Sequence, residues 1–177
     1  AEFGLFVYLY SVAMILVLIV DFGYPQRVLH EASLYTFRNK INVIKGVRMK
    51  SVAMIIVLLT SFVISMILGG ESLLIVFVLS RISASYGEYF GSYLRALDSH
   101  KQDSIYLLVS NLFLVLSTVI YISVNEGNIA LYEPVCLLLL SKIIYFLLSS
   151  NAASRIIGIS IMRIKIKGAD AVNEVKI

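Results

Sequence analysis

Arg81 and Lys142 carry the most distinctive chemistry in this sequence, because each stands inside a run of apolar residues long enough to cross a bilayer. A charge at the centre of such a run costs about 2.5 kcal/mol or more. It is therefore expected to face a protein interior or a water-filled cavity. There a guanidinium offers a planar donor fork and an ammonium a mobile point charge, and both suit an anion such as a phosphate. Around Arg81, the residues Ser85, Glu88, Ser92 and Arg95 follow at i+4, i+7, i+11 and i+14, so the five share one face of a helix. On an adjacent face Ser80, Ala84, Gly87 and Gly91 form a ridge of small residues containing a GxxxG pattern, suited to close helix packing. The charged stripe has two readings. Arg81 and Glu88 pair within the helix or with neighbours and only fix packing, or the stripe lines a cavity in which Glu88 tunes Arg81 or responds to a coupling ion.

Lys142 is accompanied by Ser141, Tyr145 and Ser149, with Glu133 and Pro134 nearer the start of the same run. Measured by helical rise from the start of its own run, Arg81 lies about 14 Å deep and Lys142 about 20 Å deep. Lys142 either contributes to a cavity or snorkels along its flexible stem toward the headgroups. Tyr106, Ser110, Ser117 and Tyr121 stand at i, i+4, i+11 and i+15. Their hydroxyls suit bonds between helices and equally suit a sugar-lined path.

The elements that must position these groups are helices in a membrane. With 59% hydrophobic residues, 15% charged residues and a mean hydropathy of +0.91, the chain is far more apolar than a globular domain. The predicted fold class is all-α integral membrane, with five transmembrane helices over about 3–22, 51–69, 72–97, 104–124 and 129–150. Residues 1–155 form the bundle, and 156–177 an amphipathic linker or tail. The first run lacks a basic leader and a cleavage motif, so it is read as a span. Beginning at Ala1 without an initiator Met, the chain reads as part of a longer protein. The one cysteine, Cys136, is placed in the fifth span as a small packing or lipid-facing residue. His30 and His100 are isolated, no metal-ligand cluster, phosphate loop or nucleophile motif is present, and neither enzymatic activity nor a cofactor is expected.

Basic residues alternate between connections. Arg38, Lys40, Lys45, Arg48 and Lys50 precede the second span, Arg95 and Lys101 flank the turn at His100, and Arg155, Arg163, Lys165, Lys167 and Lys176 lie in the tail. The turns at Gly70-Glu71 and Asn125 to Asn128 have none. The positive-inside rule then puts the basic connections and the C-terminus in the cytoplasm and the N-terminus outside. The short outer turns pair spans two with three and four with five as hairpins. The segment Tyr24 to Arg38 is expected to form an interfacial amphipathic helix, with Arg27 and Glu31 at i,i+4. The pI of 9.2 follows from these loops and fits contact with anionic membrane lipid rather than nucleic acid.

Two strings carry a family resemblance. Glu2-Phe3-Gly4-Leu5-Phe6, followed by a span ending in Asp21-Phe22-Gly23-Tyr24-Pro25 and then Arg27 to Glu31, resembles the second transmembrane helix of bacterial polysaccharide flippases. These are the O-antigen and capsule repeat-unit exporters of the multidrug, oligosaccharidyl-lipid and polysaccharide export superfamily. The run Tyr89 to Asp103 is similar to the end of that family's fourth helix. The resemblance implies helices two to six of the first of two bundles, with the first helix and the whole second bundle lying elsewhere in a parent chain. It also implies a location in the bacterial inner membrane and a polyprenyl-pyrophosphate-linked oligosaccharide as substrate. On that reading Arg81 and Lys142 contact the pyrophosphate, with Glu88, Ser85 and Tyr145 beside them, while Tyr106, Ser110, Ser117 and Tyr121 line the glycan path. A cation-coupled drug exporter of the same superfamily and a non-transporting membrane scaffold are the alternatives. The exporter is expected to favour acidic groups over cations at midplane.

Overall fold

In the computed structural model the described residues are 2–21, 26–30, 36–68, 72–125 and 132–157. They are almost wholly helical. The long helices are α1 (Glu2–Asp21), α2 (Thr36–Ile67), α3 (Ser72–Ala96), α4 (His100–Val124) and α5 (Tyr132–Ile157), and five helices are long and apolar enough to cross a membrane. Of the predicted amphipathic segment 24–38, residues 26–30 are helical and α2 has begun by Thr36. Glu31, the turns at Gly70-Glu71 and 126–131, and the tail 158–177 lie outside the described residues.

α3 is the axis of the bundle. Of its most apolar window 72% is buried, against 6% for α4. It packs most extensively on α5, then on α1, and also on α2. α1 buries one stripe, Leu9, Ala13, Val17 and Val20, at i, i+4, i+8 and i+11. Its Phe6 and Tyr10 rings meet Phe77 of α3 edge-on, with centroids 5.1 and 5.6 Å apart. On the opposite side of α3, Tyr86 and Phe90 pack against Phe146 of α5. α4 buries only Asp103 and Ser110 and leaves Leu108, Val115, Leu116 and Ile120 more than half exposed. An apolar surface of that extent suits hydrocarbon rather than water.

The pairing of contacts fixes direction. Ser51 and Tyr86 meet while Val43 and Tyr89 meet, so α2 and α3 are antiparallel. Ser110 with Ser141 and Asp103 with Tyr145 make α4 antiparallel to α5. Both hairpins agree with the sequence reading. The dominant contact, between α3 and α5, joins helices that run in the same direction.

Two boundaries differ from expectation. α2 starts at Thr36 instead of Ser51, so the expected basic connection from Phe37 to Lys50 is helical, and Lys50 sits within the bundle. A helix does not stop where its apolar residues stop, and this stretch contains no proline to break it. α4 starts at His100 instead of Ser104. The turn before it is tight because α3 closes in a Schellman motif. The Ser99 N–H bonds the Leu94 carbonyl, the Asp98 N–H bonds the Arg95 carbonyl, and Asp98 takes a left-handed φ of 57°.

Candidate functional site

Because α3 and α5 run in parallel, the contacts of Tyr145 with Gly87 and Gly91 and of Phe146 with Tyr86 set their relative depth. Arg81 is about 14 Å from Ser72 and Lys142 about 15 Å from Tyr132 by helical rise. In the register those contacts set, Lys142 stands about one helical turn, roughly 5 Å, further along the bundle than Arg81, close to the offset expected from the sequence. The two cations feel each other's repulsion, and Lys142 is also attracted by Glu88. Arg81 and Lys142 are partly exposed, and neither forms an ion pair among the described residues. The Arg81 Nε and the neighbouring Ser80 Oγ are buried with no hydrogen-bond partner among the described residues.

The stripe on α3 divides among its neighbours. Ser85, about 40° round the helix from Arg81, is buried against α1 and α2. Arg95, about 40° to the other side, turns to α4, where its Nε stands 3.4 Å from Asp103 and its Nη2 donates to Ser92 Oγ at 2.9 Å. Glu88, between these two, is exposed. The stripe is thus neither one intrahelical pair nor one uniform wall.

The most buried charge in the bundle is one that sequence reasoning assigned to a connection. Lys50 is 0% exposed, and its Nζ lies 3.1 Å from Asp21 Oδ1 and 2.7 Å from Ser85 Oγ. Ser85 Oγ in turn donates to the same Asp21 oxygen. The ammonium also sits 5.6 and 5.5 Å from the ring centroids of Tyr86 and Tyr89. Ser85 is the fourteenth of the 25 residues of α3, so this centre is at the middle of the bundle and not at its rim. It ties α1, α2 and α3 together. Glu88 is attracted to Lys50 as well as to Lys142, which links the centre to the two cations. A signal for Lys50 was present in the sequence. It stands seven residues from both Val43 and Val57, which are buried on the same face of α2.

Tyr145 is buried, donates to Asp103 Oδ1 at 2.8 Å, and lies against Gly87 and Gly91. A Cβ at either glycine would collide with it, so the GxxxG ridge is the contact surface for α5. The four hydroxyls assigned to a glycan path are not brought together. Ser110 is buried between α4 and α5, where it donates to the Ser141 carbonyl at 2.8 Å. Ser117 donates to its own helix at Leu114, and Tyr121 to Glu133. Tyr106 lines a cavity of about 460 Å³ of mixed polarity, with Gln102, Asn151 and Arg155 beside Leu148 and Ile156. A second cavity, about 340 Å³ and mainly apolar, lies between α2, α3 and α5 around Tyr86, Phe90 and Phe146. It is on the far side of α3 from Arg81.

Among the described residues no group of three His, Cys, Asp or Glu side chains is placed to hold a metal ion. The arrangement at mid-depth comprises Arg81, Lys142, Lys50, Asp21, Ser85 and Glu88. It is suited to binding an anion or moving a proton. No family model matches the chain, and no curated protein or solved structure shows significant similarity to it.

Proposed function

We propose that this chain is part of a flippase that moves undecaprenyl-pyrophosphate-linked oligosaccharide repeat units across the bacterial inner membrane, for O-antigen or capsule synthesis. The observation that carries the reading is the pair Arg81 and Lys142. They are like charges about one helical turn apart in depth on parallel neighbouring helices, mutually repelling and without an ion-pair partner among the described residues. Two cations held together in an apolar bundle are unfavourable alone and become favourable when a dianionic group lies between or over them. A pyrophosphate is such a group. The guanidinium supplies a bidentate fork and the ammonium follows the charge as it moves.

The reading includes a second bundle that closes the cavity over the exposed Glu88 side of α3. The two bundles rock about the mid-depth site in alternating access. Orientation follows the loop charges, with the N-terminal end of α1 periplasmic and the C-terminal end of α5 cytoplasmic.

In the full-length protein, Arg81→Ala and Lys142→Ala are expected to abolish surface polysaccharide while membrane levels stay normal. Normal polysaccharide in both variants removes the assignment. Photolabelling with a reactive polyprenyl pyrophosphate should mark α3 and α5. A drug exporter or a scaffold would show no specific labelling there.

A further inference from the structure

The cavity of about 460 Å³ between α4 and α5 has no part in the contact at Arg81 and Lys142, because Arg155 on its wall stands about 20 Å further along α5 than Lys142. Gln102 and Tyr106 reach it from α4, and Asn151 and Arg155 from α5. None of these four side chains has a hydrogen bond or ion pair with another described residue, although all four carry donors. Arg155 is the one charged residue among the described residues of the lining. The acid nearby on α4, Asp103, is already held by Tyr145 and Arg95. The cavity lies where α4 begins and α5 ends, the level at which a spanning helix passes from hydrocarbon to headgroups. Leu148 and Ile156 give it an apolar side. Val109, two turns along α4 from Gln102 on the same face, is exposed and continues that side toward the lipid-facing part of α4.

We propose that this cavity binds the headgroup of an anionic phospholipid, a phosphodiester of the phosphatidylglycerol type. Arg155 donates to the phosphate oxygens, Asn151, Gln102 and Tyr106 bond the glycerol hydroxyls, and an acyl chain runs past Leu148 and Val109. Charge selects this occupant. One guanidinium balances the single charge of a phosphodiester, whereas a zwitterionic headgroup brings an ammonium that Arg155 repels and for which no carboxylate lines the cavity among the described residues. The sequence after Ile157 carries Arg163, Lys165 and Lys167, which Arg155 also repels, so the chain's own tail is the poorer occupant. Basic pockets between transmembrane helices are a recurring form of anionic lipid site. A lipid bound there staples α4, which buries only Asp103 and Ser110, to α5. The site requires that the helices span a bilayer and is independent of the polysaccharide reading.

The test is native mass spectrometry of the full-length protein, reconstituted with equal amounts of phosphatidylglycerol and phosphatidylcholine and then extracted into mild detergent. The wild type is expected to retain phosphatidylglycerol with about fivefold preference. Arg155→Gln should lose that preference, and Arg155→Lys should keep part of it. Asn151→Leu leaves the charge in place and should still weaken retention, by about threefold. Lys101→Gln removes an exposed cation from the same end of the bundle that does not line the cavity, and should change nothing. Equal losses in Lys101→Gln and Arg155→Gln would mean attraction to charge spread over the membrane face and would overturn the site. So would an Arg155→Gln variant that keeps the preference, or a wild type without one, because the cavity then has another occupant, the chain's tail included. Free glycerol phosphate should not displace the lipid at comparable concentration; displacement would replace the lipid with a soluble phosphate ligand.

Discussion

Gly91 lies directly against the hydroxyl of Tyr145 and the Asp103 carboxylate bonded to it, so α3, α4 and α5 meet at a point where only a hydrogen fits. One turn earlier Gly87 lies against the Tyr145 ring itself. Alanine in a helix is favoured over glycine by about 1 kcal/mol, which works against the clash. The clash should win, because Tyr145 is anchored at its far end by Asp103 and has nowhere to retreat. Gly87→Ala and Gly91→Ala are expected to lose about 1–2 kcal/mol net, seen as lower melting temperatures in detergent. Gly4→Ala, with open space around it, should hold or gain stability.

The turn between α3 and α4 gives a prediction of opposite sign. Asp98 is the one described non-glycine residue with positive φ, it occupies the C′ position of a Schellman motif, and it is exposed. Its only ion pair among the described residues is a 3.9 Å contact with the exposed ring of His100, and surface pairs contribute little. Asp98→Gly should therefore stabilise the hairpin by about 0.5–1 kcal/mol, measured as a raised melting temperature. Asp98→Val should cost more than Asp98→Ala, because β-branching is worst tolerated at positive φ.

How far the sequence could be read follows from which interactions are local. The third span was placed at 72–97 against an observed Ser72–Ala96, because an apolar run bounded by turns is a local property. The stripe and the small-residue ridge were visible for the same reason, since helical spacing alone sets them. Lys50 was misplaced because hydropathy scores it with the cations that precede it. Its burial depends on Asp21 and Ser85, which are 29 and 35 residues away. The hydroxyls of α4 have separate partners because spacing fixes a face but not a partner. Ser110 found Ser141 while Ser117 turned back to its own helix.

The repulsion between Arg81 and Lys142 predicts a separation of function from stability. Removing one like charge should relieve the other, so Arg81→Met should melt at the same temperature as the wild type or higher, by a few tenths to about 1 kcal/mol. The same variant should lose binding of a polyprenyl pyrophosphate. Arg81→Lys should lose less than Arg81→Met if charge outweighs fork geometry. A marked fall in the stability of Arg81→Met would show instead that the guanidinium is a packing element with partners of its own.

Lys50 and Asp21 give the sharpest energetic contrast, because their environments differ. Lys50 is fully enclosed, so Asp21→Leu strands a charge with no route to water and should cost about 3–5 kcal/mol. Asp21 keeps some exposure and the Ser85 hydroxyl, so Lys50→Met leaves a carboxylate that can still be hydrated and should cost clearly less. The double variant Asp21→Leu/Lys50→Met removes both charges and should recover most of the loss, because well-packed apolar residues replace a buried pair with little penalty. Unfolding in mild denaturing detergent, followed for the wild type, both single variants and the double, completes the cycle. Additive losses in that cycle would mean that the two side chains act independently despite their 3.1 Å contact, and that the pair does not clamp α1 to the rest of the bundle.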